Sequence, residues 1–197
     1  MLLDGYESIM NMTASVGGGS LLIRPALPND LDAVERLARL SATELLREFL
    51  DNAQMGEIDE FIELDRWLIN DGTYYVAEID GTVIGSGGWS RRRALLHRST
   101  ASCDSDQILL PKRDAARIRA MYTHPDYARL GIGRTLLSVS ETAARLAGFR
   151  HAELLATLVG EKLYRSCGWQ LVEWEQVTTR NGLTIPAAHM SKTFRAG

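Results

Sequence analysis

Residues 124 to 134 read His-Pro-Asp-Tyr-Ala-Arg-Leu-Gly-Ile-Gly-Arg, with Gly131 and Gly133 one residue apart at the mouth of an amphipathic stretch, Ile132 to Ala147. The first N–H groups of a helix lack partners inside it, and the aligned peptide dipoles favour an anion at that end. Two positions without side chains let a phosphate approach that backbone, and Arg129 and Arg134 flank the turn with cations suited to charge-assisted contacts. The chemistry this suits is the binding of a pyrophosphate. A P-loop is excluded, because no Gly-Lys-Ser/Thr follows. A dinucleotide fingerprint fits poorly: Leu136 occupies the third glycine position, and His124 to Leu130 separate the preceding strand from Gly131. Glu153 has the spacing of a ribose-binding acid but falls near the start of its strand, not at the carboxyl end. A plain loop whose glycines only relieve backbone strain is the competing reading.

The elements that must position this turn follow from periodicity. Ser20 to Ala26 reads as a strand, and the stretch after it as a helix capped by Asn29 or Asp30, with Leu31, Val34 and Leu37 on one face. A second helix is predicted over Glu57 to Ile69, with Ile58, Phe61, Ile62 and Leu68 inward. Tyr74 to Ile79 and Thr82 to Ser90 form a hairpin about Asp80-Gly81. Arg91 to Asp114 reads as a long loop. Ala116 to Thr123 is the strand before the glycines, and the helix after them keeps Ile132, Leu136, Val139, Ala143 and Leu146 on one stripe. A short strand at His151 to Thr157, a short helix through Gly160 to Gly168, and two last strands turning at Asn181-Gly182 complete the chain.

Composition narrows the partners. The 197 residues suit one domain with a tail, and 45% apolar residues suffice for a sizeable core. A net charge of −3, from 22 basic and 25 acidic side chains, gives no field for nucleic acid or an anionic membrane. Cys103 and Cys167 show neither pairing pattern nor metal spacing, so a reducing, cytoplasmic compartment is expected, without a structural metal. Residues 1–19 lack the basic start and apolar run of a signal peptide and read as a flexible tail hinged at Gly17 to Gly19, leaving one domain over 20–197.

Other segments bear on the glycine turn. Met121 to Leu137 resembles the acyl-CoA pyrophosphate loop of the GNAT superfamily of N-acetyltransferases, although Ala128 stands where that family most often has Arg or Gln. Tyr164, Gly168 and Trp169 resemble its Tyr-x-x-x-Gly-aromatic signature; Leu21 to Leu37 looks like its first strand and helix, and Ile185 to Phe194 like its closing strand. The resemblance implies a mixed α/β fold. Its centre is a mostly antiparallel sheet of about seven strands, splayed at the coenzyme site and flanked by about four helices.

It also implies an acetyl-CoA-dependent transfer to an amine by direct attack, with a non-catalytic acyl-CoA-binding sensor or scaffold as the alternative. In such a site Met121, Tyr122 and Thr123 offer strand backbone to the pantetheine arm. Arg129, Leu130, Gly131, Ile132, Gly133 and Arg134 hold the pyrophosphate. Thr157 stands where many relatives carry a coenzyme-contacting asparagine, its other reading being a hydroxyl making a local bond. Tyr164 matches the tyrosine that faces the sulfur. A phenol near pKa 10 giving its proton to a thiolate near 8.5 runs uphill by roughly 2 kcal/mol, so hydrogen bonding to developing charge counts at least as much as proton transfer. An acceptor amine with pKa about 10.4 needs a base, for which Glu78 and Glu153 are the candidate strand carboxylates. Glu57, Asp59, Glu60, Glu63 and Asp65 would suit a cationic acceptor or are a solvated face, and Arg91 to Arg93 an acidic group or a wet strand end. Whether the acceptor is a small molecule or a peptide, and whether the chain is a homodimer, stay open.

Overall fold

The β-branched run after the glycine tail forms a strand, and Asp80-Gly81 turns a hairpin, as their composition predicts. The computed structural model describes residues 12–16, 19–62, 66–93 and 107–194. The strands are β1 (Met12–Val16), β2 (Gly19–Pro25), β3 (Tyr74–Ile79), β4 (Thr82–Ser90), β5 (Ala116–Thr123), β6 (His151–Ala156), β7 (Gln170–Thr178) and β8 (Thr184–Thr193). The helices are α1 (Leu31–Leu46), α2 (Asn52–Gly56), α3 (Arg66–Asn70), α4 (Ile132–Leu146) and α5 (Leu158–Ser166). One sheet runs in the order β1-β2-β3-β4-β5-β6-β8-β7, antiparallel throughout except for the parallel pair β5–β6. This is the mixed, mostly antiparallel architecture expected, with one more strand and one more helix.

The additional strand corrects the tail expectation for Met12–Val16. These residues pair antiparallel with β2, Met12 opposite Ile23, and so satisfy the row of backbone groups that β2 would otherwise present as an open edge.

Alternation in β3 sends Tyr74 and Val76 to one face and Tyr75, Ala77 and Ile79 to the other. Helix α1 covers the first face through Val34, Ala38, Ala42 and Leu46, while α4 covers the second through Ile132, Leu136, Val139 and Ala143. Leu146, predicted on that stripe, is instead 38% exposed, because it ends the helix. Gly85 lets α4 seat closely on β4: a Cβ there would lie 2.6 Å from Cγ2 of Ile132.

The predicted second helix is broken. Asp51 caps α2, accepting from the Gln54 amide at 2.8 Å, and the helix ends at Gly56; a 3₁₀ turn follows at Ile58–Phe61, then α3. The burial targets explain the break. Ile58 and Ile62 pack with Ala38 and Ala42 of α1, whereas Leu68 packs with Tyr74 and Val76 in a separate cluster. Glu63 and Asp65 lie outside the described residues, as does much of the predicted long loop, from which Arg92 and Ile108 form one β-bridge.

In β5 a bulge resets the side-chain parity. Its register against β4 shifts between Ser86 and Gly88, and Ala120 adopts φ +52°. Ala116 and Ile118 face α4; past the bulge Met121 takes that face, and Tyr122 turns to the α1 side.

Candidate active site

Strands β5 and β6 share only the pairs Ala116–Ala152 and Arg117–Glu153 before they part. Where they diverge lies a cavity of about 720 Å³, lined from β5 by Ile118 to Thr123 and across the gap by Leu155 to Gly160. The expected splay is therefore present, and Met121, Tyr122 and Thr123 line it. The Thr123 amide already reaches Ser41 Oγ of α1, at 3.4 Å.

One end of the cavity is the mouth of α4. Gly131 is the N-cap at φ +90° and has no side chain to cap the first-turn amides, and a Cβ built on it meets nothing within 4 Å. The backbone is thus bare toward the cavity, which suits an anion. Gly133 differs. A Cβ there would lie 3.2 Å from Leu163 and 3.4 Å from Thr123 Oγ1, so α5 packs tightly against α4 at this glycine. Arg129, at φ +66°, Ile132 and Arg134 line the same end; Arg134 is tethered to Ser166 Oγ at 2.9 Å. Leu130 is half exposed and is not part of the lining. Thr157 lines the cavity but spends its hydroxyl on the Gly160 amide at 3.2 Å, capping α5, which is the local bond weighed above.

Tyr164 reaches the cavity from α5. It is 6% exposed and packs edge-on against Trp169, with ring centroids 6.0 Å apart. Burial raises its phenol well above the ordinary value, and the neighbouring Tyr122 and Cys167 push the same way. The group therefore stays an O–H donor across the physiological range. Tyr122, on the facing wall, is pushed up to about 12 by burial, with the Arg119 guanidinium pulling partly back.

The two carboxylates expected as bases, Glu78 and Glu153, do not line the cavity. Glu78 accepts from Arg24 at 2.8 Å, and Arg24 also binds Asp30 at 2.7 Å, so this trio ties β2 and β3 to the start of α1. Glu153 pairs with Arg117 at the hydrogen-bonded end of the β5–β6 pair, with His189 Nε2 3.7 Å away. Among the described residues the one carboxylate lining the cavity is Glu60, whose oxygens accept from the Arg180 amide at 2.9 and 3.2 Å. Of its predicted acidic companions, Asp59 pairs with Arg39 and Glu57 accepts from Asn181 at 2.8 Å. Arg92 is held by Asp71 at 3.0 Å and stacks over Trp67. His124 caps the turn after β5 through Nδ1, accepting from the Asp126 amide at 3.2 Å.

Sequence reasoning missed Arg119, Lys162 and Arg180, all of which line the cavity. Lys162 lies two residues before Tyr164 on a short helix, a spacing that turns the two side chains to different faces, so sequence alone carried no signal for it. Arg119 had none, because a plain alternation in Ala116 to Thr123 hides the bulge.

Comparison with curated protein sequences found no match. Solved structures share the fold. A GCN5-related N-acetyltransferase from Rhodopseudomonas palustris is 19% identical with a TM-score of 0.62, over 87% of this chain and 94% of that one. The PaiA N-acetyltransferase from Thermoplasma acidophilum, in complex with coenzyme A, gives 18% and 0.60 over 88% and 99%. A ribosomal-protein-alanine N-acetyltransferase from Brucella melitensis gives 22% and 0.58 over 88% and 99%. The family pattern for Acetyltransferase (GNAT) matches residues 39–169, spanning α1 through Trp169 and so the whole glycine turn and Tyr164. The chain belongs to the acetyltransferase (GNAT) family and is an acyltransferase.

Proposed function

We propose that residues 20–197, with β1 added at the edge of the sheet, form one acetyl-CoA-dependent N-acetyltransferase domain, in which an amine attacks the thioester carbonyl directly. One observation carries the reading: a continuous cavity joins the uncapped mouth of α4, the gap between β5 and β6, Tyr164, and the α1 wall. Gly131 and the first-turn amides, with Arg129, Arg134 and Lys162 beside them, fit a diphosphate. The β5 backbone past the bulge fits an extended pantetheine arm. The acceptor then approaches from the α1 side, and much of the rate comes from holding amine and carbonyl together.

As the C–N bond forms and the C–S bond breaks, the nitrogen sheds a proton to solvent and negative charge collects on the departing sulfur. Tyr164, kept protonated by burial, donates a hydrogen bond to it. The amine must arrive neutral. Apolar walls disfavour an ammonium and so lower the amine's pKa, and its proton leaves past Glu60 to solvent.

Tyr164→Phe keeps the ring against Trp169 and removes only the donor. We expect kcat for thiol release from acetyl-CoA to fall about 100-fold, with coenzyme Kd changed less than about threefold. Unchanged kcat in the variant removes Tyr164 from the mechanism. Tight coenzyme binding by the wild type, without turnover of any amine, favours the binding-module alternative.

A further inference from the structure

The part of the cavity between α1, the turns after it and the β7–β8 hairpin is a largely aliphatic chamber. Leu45 of α1, Leu50, Ile58, Ile62, Val177 and Ile185 line it, and Leu50, Ile58 and Ile62 are each 8% exposed or less. Its roof is fastened. Gln54 Nε2 donates to the Thr184 carbonyl at 2.7 Å, Asn181 to Glu57 at 2.8 Å, and the Arg180 amide to Glu60, so α2 and the following turn are pinned to the tip of the β7–β8 hairpin. A fastened roof favours a small acceptor over a folded protein surface.

Charge narrows the choice further. Glu60 is the one lining carboxylate among the described residues, it already accepts from an amide, and Arg119 and Arg180 line the same cavity. A polycation would meet two guanidiniums and one engaged acid. A sugar-like polyamine would press many hydroxyls against these six aliphatic side chains, where Ser41, Thr179 and Glu60 offer few partners.

We infer that the acceptor is a small monoamine on an apolar body, its hydrocarbon part seated among Leu45, Leu50, Ile58, Ile62, Val177 and Ile185. This rests on the proposed acetyl transfer and specifies its second substrate. Each buried methylene gains about fourfold in affinity, so the chamber predicts a rising series.

The test is kcat/KM for n-propylamine through n-hexylamine with acetyl-CoA, against spermidine and lysine, together with calorimetric binding of the same amines to the coenzyme-bound protein. We expect kcat/KM to rise about three- to fourfold per methylene, and hexylamine to exceed spermidine and lysine by at least tenfold. Leu45→Asp, at a half-buried helix position, should raise KM for hexylamine at least tenfold and by a smaller factor for propylamine, with the melting temperature showing the fold intact. A flat series, or spermidine or lysine preferred, overturns the inference while leaving acetyl transfer standing. Graded, Leu45-dependent binding without any turnover supports the chamber and overturns the transfer reading instead. Neither graded binding nor turnover overturns both.

Discussion

At the scale of single residues, the site turns on Ala120. Left-handed backbone at a residue with a Cβ costs of order 1–3 kcal/mol and persists only where the surroundings enforce it. What enforces it is Tyr74, fully buried on the neighbouring hairpin, whose hydroxyl donates to the Ala120 carbonyl at 2.9 Å. Tyr74 touches no reacting atom; it holds the bulge that points Tyr122 at the cavity. Tyr74→Phe preserves the ring and strands that carbonyl, so we expect a loss of about 1–2 kcal/mol in urea unfolding. The accompanying sign of a positioning role is a larger fall in kcat than in coenzyme affinity. An unchanged urea midpoint removes the hydrogen bond from the account. Tyr164, by contrast, acts through its own hydroxyl.

At the scale of elements, the bare mouth of α4 is the feature to test, and the same helix supplies its control. Gly131 at the start and Gly148 just past the end both have positive φ, +90° and +95°, so an alanine at either strains the backbone by about 1–2 kcal/mol. Only Gly131 lines the cavity. Gly131→Ala and Gly148→Ala should therefore lose similar melting temperature, while only the first weakens coenzyme binding, by tenfold or more in calorimetry. Equal affinities in both variants remove the α4 mouth from the coenzyme site. Elements of this kind were legible because each carries its own signal. Asp80-Gly81 and the apolar strands around it placed β3 and β4, and Gly-x-Gly before an amphipathic stretch placed α4 and its mouth. Where neighbours decide, the sequence was silent. The predicted second helix broke because Ile58 and Leu68 serve different clusters, and Glu78 and Glu153 read as free strand carboxylates because Arg24 and Arg117 are distant in sequence. Arg119 joined the cavity through a bulge that local alternation cannot reveal.

At the scale of the whole molecule, several phenols are buried about one sheet, and that couples folding to alkaline pH. Tyr74 is fully buried and Tyr164 nearly so, and burial raises both phenols well above the ordinary value; Tyr122, partly exposed along the cavity wall, is pushed up to about 12 and counts for less. In the unfolded chain each phenol loses its proton near pH 10. Between that pH and the native values the unfolded chain holds fewer protons, so raising the pH favours unfolding. The stabilisation is complete below about pH 10 and is lost above it, at roughly 1.4 kcal/mol per pH unit for each deeply buried phenol. Tyr74 and Tyr164 together predict a loss of roughly 2 kcal/mol between pH 10 and 11, because the unfolded phenols are only half ionised at the start of that interval, seen as a melting temperature that falls steeply only on that limb. Lysine titration overlaps the same range, and Tyr74→Phe separates the two: it should begin less stable at pH 8 yet lose only about half as much above pH 10. Phenolate absorbance gives the independent check, because the buried rings should ionise together with unfolding. If all six tyrosines titrate near pH 10 while circular dichroism shows the sheet intact, the rings at the cavity are wetter than their packing implies, and the alkaline loss of stability belongs to other groups.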